Sequence, residues 1–197
     1  MARPSVEAKR REEIMRSACT VIAAKGVVGL RVSDVARGAG VSPGIVHYYF
    51  ENKLELIRAA FEDNFNRSLE RRSLIFQNDS AHAADLLYEL VESYCPADPV
   101  TIEAWHVWIE LWAASLQDPE LQSINDRAYS RWAAMIEELI SRGQVRGELV
   151  EGDLSRYADQ LMGLLDGLAV QVLLGSHGMT VEKMKRTCGA VIESLRL

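Results

Sequence analysis

The sequence predicts an all-α fold of about nine helices. An N-terminal three-helix unit with a helix-turn-helix is joined by a long fourth helix to a C-terminal helical bundle. Three observations predict it. Apolar residues recur at helical spacing through nearly the whole chain. Prolines and most glycines fall between the periodic segments, as breaks. No alternating apolar run is long enough to claim a sheet.

In the first segment Ile14, Ala18, Val21 and Ile22 recur at i, i+4, i+7 and i+8, and Gly26 supplies a C-terminal cap. Lys9, Arg10, Arg11 and Arg16 lie on its polar face. The second segment, residues 32–39, sets Val32, Val35, Ala36 and Ala39 on one side and stops at Gly40. Ser42 caps the third, with Pro43 at the first helical position, where its missing N–H costs nothing. A three-residue turn, Gly40, Val41 and Ser42, then separates two short helices, with small Ala36 where they approach. That is a helix-turn-helix.

The fourth segment opens at Asn52, which Glu55 answers as in a capping box, and runs through Arg72. The expected domains are residues 1–50 and 51–197. Further helices are expected near 80–95, 99–116, 119–144, 153–175 and 180–196, parted by Pro96, Pro99, Pro119 and the glycines at 143, 147, 152, 175 and 178.

At 197 residues, 48% hydrophobic and 25% charged, the chain can bury a proper core. Its net charge of −6 is unevenly spread: residues 1–72 carry +4 and the remainder −10. A basic end on an acidic body suits a polyanion partner, although a solvated helix surface gives the same count. Cys19, Cys95 and Cys188 are scattered and odd in number, so no disulfide framework or zinc site is supported. A reducing cytoplasm fits. MARPSVEAKRREE has no apolar run behind its basic residues and does not read as a signal peptide. Residues 161–175 are too short, and carry Asp166, for a membrane span. His47, His82, His106 and His177 lie far apart without ligand spacing, and no nucleophile elbow or phosphate loop is present, so no metal, cofactor or enzymatic activity is expected. His106 reads as a core or pocket residue.

The run RVSDVARGAGVSPGIVHYYFENKLELI, residues 31–57, resembles the DNA-binding signature of the TetR family of bacterial repressors. The patches EAWHVWIELWAASLQDP, SRW and LLDGLAVQ resemble the C-terminal domain of its BetI subgroup, regulators of choline and glycine betaine metabolism. The resemblance implies a ligand-responsive repressor that binds a palindromic operator as a homodimer. An effector-independent DNA-binding protein whose C-terminal bundle only dimerises is the alternative.

The third helix holds itself down through Val46 and Phe50. Ser42, Pro43, Gly44, Ile45, His47 and Tyr48 remain for the DNA side. His47 and Tyr48 suit base edges and Ile45 a thymine methyl. By resemblance Tyr49 and Lys53 grip phosphates. Packing of Tyr48 or Tyr49 within the three-helix core is the competing account. Two departures from the family pattern concern Arg31, where the second helix often has a capping Thr or Ser, and Ile45, often Thr. The first cap is lost or passes to Ser33, leaving Arg31 for phosphate.

Trp105, Trp108 and Trp112 form an indole stripe at i, i+3 and i+7 that can wall a cavity for a flat or cationic effector. For any one of them, core packing is the simpler account. Gln160 and Asp166 are polar candidates for orienting a ligand; Glu110 and Gln171 are others, and a capping or solvated role competes for each. In TetR-like proteins the last two long helices form a four-helix dimer interface. Leu164, Gly167, Leu168, Gln171, Met184 and Val191 are placed there.

Overall fold

A computed structural model describes residues 6–197; residues 1–5, the start of the N-terminal stretch considered above, lie outside the described residues. The described residues form nine α-helices and one short 3-10 turn. They are α1 (Val6–Gly29), α2 (Val32–Gly38), α3 (Pro43–Tyr49), α4 (Lys53–Gln77), α5 (Ala83–Tyr94), α6 (Pro99–Ser115), α7 (Pro119–Val145), α8 (Leu154–Leu173) and α9 (Val181–Leu195), with the turn at Ser176–Gly178 before α9. The only β pairing among the described residues is an isolated antiparallel bridge, Leu149 with Arg196.

Two compact units divide the chain elsewhere than at residue 50. One comprises Met1–Ser68 and Glu103–Asp126, the other Leu69–Ile102 and Arg127–Leu197. The divisions fall inside α4, α6 and α7. A sequence reading seeks a domain edge at a loop, and helices this long change neighbours along their length instead.

In the first unit, Ile14, Ala18 and Ile22 of α1, Val35 and Ala36 of α2, Val46 of α3, Phe50, Leu56, Ala60 and Phe61 at and after the start of α4, and Val107 and Leu111 of α6 form one buried cluster. Fully burying a side chain such as Val46 or Phe50 contributes about 1.5–3 kcal/mol. The helix-turn-helix corner is a Schellman motif: the Val41 N–H donates to Ala36 O at 2.9 Å and the Gly40 N–H to Arg37 O at 3.2 Å. Gly40 sits at φ +65°, the left-handed conformation that the motif requires.

The caps only partly match expectation. Ser42 is the N-cap of α3, but its side chain makes no cap bond; its carbonyl accepts the Ile45 N–H at 3.0 Å. Arg31 caps α2 without a side-chain bond, and Ser33 does not replace it. Ser33 is the second residue of the helix, already inside the first turn and past the position from which a hydroxyl caps. At α4 the first half of the expected box is present, with Asn52 Oδ1 accepting the Glu55 N–H at 2.9 Å; the answering bond falls one residue earlier, where Glu55 Oε2 accepts the Glu51 N–H at 2.6 Å.

In the second unit α9 packs against both α5 and α8. Met184, Cys188 and Ile192 of α9, Leu86, Leu87 and Leu90 of α5, and Leu161, Leu165 and Leu168 of α8 are buried. Two side-chain caps not foreseen from sequence start these helices: Asp153 accepts the Arg156 N–H and Thr180 the Lys183 N–H, each at 3.2 Å.

Gly26 breaks α1 at φ 71°, ψ 169°. The turn is held by Glu110 of α6, whose Oε2 accepts the Val27 N–H at 2.8 Å. A Cβ on Gly26 would stand 3.0 Å from that oxygen. Gly26→Ala is therefore expected to destabilise the protein by about 1–3 kcal/mol, read as a lower urea midpoint with unchanged m. An unchanged midpoint would remove the constraint.

Candidate functional site

The seven residues of α3 divide cleanly. Val46 is 1% exposed and Phe50, its C-cap, 1%. Ser42, Pro43, Gly44, His47 and Tyr48 are exposed, Ile45 is 40% exposed, and Tyr48 reaches 74%. Tyr49 is half-buried and packs on the core with its ring edge-on to Tyr48 at 5.1 Å. Core packing thus accounts for part of Tyr49 and not for Tyr48. Arg31, Ser33 and Lys53 are exposed on either side. Lys53 Nζ reaches the Val28 carbonyl at 3.3 Å, a long contact that leaves most of its hydration intact. Chemically, this face presents an imidazole, a phenol and a methyl-rich side chain over close backbone, with an ammonium at the start of the next helix.

Other charges, not singled out from sequence, shape the same surface. Lys25 Nζ donates to Asp34 Oδ2 at 2.7 Å and Arg37 Nη2 to Asp34 Oδ1 at 3.0 Å. The hydrogen bond from Lys25 holds the Asp34 carboxyl below its usual range, with Arg37 adding to the effect. Arg11 lays its guanidinium 5.0 Å from the Phe50 ring centroid, so part of the α1 basic face is packed onto the foot of α3. The Tyr48 hydroxyl lies 3.4 Å from Glu7 Oε1, a weak contact.

The residues expected to hold a ligand are dispersed. Trp105 is buried, and meets Trp112 edge-on at 6.0 Å, while Trp108 is half-buried against the first unit's core and Phe65. All three belong to the first unit, where α6 also spends Glu110 on capping the α1 turn. His106 is exposed, contrary to its expected core or pocket position, because it stands on the side of α6 opposite the buried Val107 and Leu111 rows. Gln160 is exposed, and Asp166 lies in the second unit.

Asp166 has partners that sequence spacing did not reveal. The Tyr129 hydroxyl of α7 donates to its Oδ2 at 2.6 Å. One turn on, Trp132 meets Tyr94 of α5 at 5.2 Å between ring centroids, and Phe76 of α4 lies 6.4 Å from Trp132. Burial pushes the Asp166 carboxyl up to about 6, against the opposing effect of the Tyr129 hydrogen bond. Burial also raises the phenols of Tyr94 and Tyr129, and the nearby charge of Asp166 adds to both. Arg72 of α4, 3% exposed, closes this group. These residues come from four helices and span 94 positions in sequence, so only the folded chain brings them together; the local signals are the i, i+4 spacing of Arg72 and Phe76 and the i, i+3 spacing of Tyr129 and Trp132.

Of the residues assigned to a dimer interface, Met184 is wholly buried in its own chain and Leu168 is 7% exposed. Leu164, Gln171 and Val191 are half-buried. Gly167 and its neighbour Gly163 are exposed, and a Cβ on either meets no atom within 4 Å. Met184 therefore has no surface to offer a partner. Two surface grooves of about 710 and 640 Å³, the first lined by Tyr88, Val91, Lys185 and Ala190 and the second by Asp85, Arg146 and Arg196, contain none of the expected ligand residues. No helix among the described residues is long and apolar enough to cross a membrane.

Residues 14–60 match the model of the tetR family of bacterial regulatory proteins, and residues 83–197 that of the BetI-type transcriptional repressor C-terminal domain. The chain is 29% identical over 198 residues to the HTH-type transcriptional regulator BetI of Stenotrophomonas maltophilia, covering 98% of this chain and 96% of that one. A regulator from Saccharomonospora viridis, solved in complex with choline, superposes with a TM-score of 0.86 at 30% identity over 94% of this chain and 96% of its own. A TetR-family regulator from a Rhodococcus species gives 0.84 at 28%, over 96% and 99%.

Two outcomes are expected. In gel shifts at graded salt, Lys53→Ala weakens binding to all duplexes alike and lowers the salt slope by about 0.9, while His47→Ala changes which duplexes are preferred. Equal losses on cognate and scrambled DNA for His47→Ala would sink its base-reading role. The second outcome concerns Asp166. Its folded pKa lies above the unfolded value, so the folded state holds the proton more tightly. Stability is gained as pH falls from about 6 towards 4 and is absent above 6. Asp166→Asn should stabilise the fold at pH 8 by on the order of 2 kcal/mol and by little at pH 4, measured by urea unfolding at both pH values.

Proposed function

The chain belongs to the TetR family of bacterial transcriptional regulators, with a BetI-type repressor C-terminal domain, and from that premise we propose that it represses transcription from a palindromic operator and releases it on binding a small organic cation. It is a helix-turn-helix regulator and not an enzyme, as are the relatives it matches. The proposal rests above all on the exposed face of α3, pinned from behind by Val46 and Phe50. Ser42, Pro43, Gly44, Ile45, His47 and Tyr48 enter the major groove, while Arg31, Tyr49 and Lys53 hold phosphates. The site of action is the cytoplasm, where the DNA is.

Homodimerisation runs through α8 and α9. Support comes from Gly163 and Gly167, one turn apart, with open space above both, flanked by half-buried Leu164 and Gln171. Small residues at that spacing let a partner helix come close. Two copies of α3 then address half-sites about one DNA turn apart. The effector assignment is supported by the choline complex of the Saccharomonospora regulator and by half-buried Asp166, bonded to Tyr129 one turn from Trp132. In this proposal the effector acts through α4, which has residues in both units, and through α6, which carries Glu110 to the α1 turn. Effector and DNA then favour different conformations, and each lowers the affinity for the other.

A duplex selected by the protein from a random-sequence pool is expected to contain an inverted repeat, and millimolar choline to release it. Selection of single half-sites, with no release by any small cation, would favour the effector-independent alternative. Gly167→Leu has room in the isolated chain, so it should fold normally yet sediment as a monomer and lose most operator affinity. A dimer of unchanged stability would move the interface elsewhere.

A further inference from the structure

The second unit already holds a cation on its aromatic rings. The Arg72 guanidinium carbon lies 4.1 Å from the Tyr94 ring centroid and 5.4 Å from that of Trp132. Its Nε donates to Ser93 Oγ at 2.8 Å and its Nη2 to the Ser93 carbonyl at 2.7 Å. Asp166 is tied to the same group through its hydrogen bond with Tyr129, which stands one turn from Trp132 on α7. Ring faces beside a carboxylate are what a quaternary ammonium needs. Such an ion has no N–H to donate, so it is recognised by aromatic faces and net charge.

Resting on the cationic-effector reading above, we propose that Arg72 is a tethered occupant of the effector site. A quaternary ammonium of choline size takes the Tyr94 and Trp132 faces beside Asp166 and turns the Arg72 guanidinium away. Two cations cannot share one pair of rings at these distances. With Arg72 seated on Tyr94 and Trp132, the site is closed by the chain's own charge. Displacement frees Arg72 from Ser93, which releases α4 from α5 at that point. Since Arg72 belongs to α4, the competition gives the effector a differential affinity for two positions of that helix, as any ligand-driven shift requires. Affinity for the effector is reduced by the fraction of molecules in which Arg72 occupies the rings.

The test is titration calorimetry of the full-length chain with choline and with its uncharged isostere 3,3-dimethylbutan-1-ol, on wild type, Arg72→Met and Asp166→Asn, each checked for helix content by circular dichroism. Wild type should bind choline at least tenfold more tightly than the neutral isostere. Removing the competitor, Arg72→Met should bind choline about tenfold more tightly than wild type, and Asp166→Asn about tenfold more weakly. A folded Arg72→Met protein with unchanged or weakened choline affinity overturns the tether. Should that variant not fold, Ser93→Ala, which loosens the guanidinium, should tighten choline binding several-fold, and no change in affinity overturns the proposal instead. The two readings fail separately. Release of operator by choline with an insensitive Arg72 removes the tether alone. Equal binding of choline and the isostere, or none of choline, removes the cationic effector and the tether with it.

Discussion

Neither α2 nor α3 can stand alone. Each has seven residues, too few intrahelical hydrogen bonds to offset the entropy of nucleation. Their existence depends on burying Val35, Ala36, Val46 and Phe50 against α1, α4 and α6. The same burial decides which face is left outward, because a helix this short has room for one anchored side and one presented side. The proposed reading face thus depends on packing: His47 and Tyr48 are exposed because Val46 and Phe50 are not. The Schellman turn at Gly40 fixes the angle between the two helices, so the outward face is aimed as well as exposed.

The charges around this scaffold follow a division of labour. Lys25 and Arg37 are spent on Asp34, and Arg11 on the Phe50 ring. Exposed pairs of this kind contribute little to stability, typically below ~1 kcal/mol. Their effect is to hold side chains in place at the edge of the α2–α3 surface. The first 72 residues keep a net positive charge and the remainder a net negative one. Charge alone could not separate that arrangement from a solvated surface; the exposure of α3 does.

The helices, the turn at residues 40–42 and the capping box at Asn52 are local features, and sequence periodicity and composition were enough to find them. Residue type suggests a side-chain cap at Ser42, yet the hydroxyl makes no cap bond although the residue holds the N-cap position; at α2 the cap is lost, one of the two outcomes the sequence leaves open. The division into two compact units is not legible in the sequence, because packing along α4, α6 and α7 leaves no mark at a loop. The tryptophan stripe on α6 was visible, but its partners were not, and Glu110 beside it turned out to cap α1. Arg72, Tyr94, Tyr129 and Trp132 are joined only by tertiary packing. No spacing rule could have linked Asp166 to them.

Asp166 is the point where stability and function pull apart. A carboxyl whose pKa rises on folding destabilises the protein at neutral pH, and one hydrogen bond from Tyr129 only partly offsets the burial. An asparagine would satisfy the same hydroxyl without the charge. A structural role therefore gives no reason for a carboxylate here. The proposed role in attracting a cation does, since the interaction that a partly buried anion offers an incoming positive charge grows with the same desolvation that raises its pKa. Arg72 fits the same logic from the other side. Burial lowers its pKa to about 10, so it stays charged, and seating that charge on Tyr94 and Trp132 gives the resting state a cation where a ligand would otherwise be needed. In the proposed reading, the demand of Asp166 and the Tyr94 and Trp132 rings for positive charge can be met from within, by Arg72, or from outside, and the difference between those two states is felt on α4.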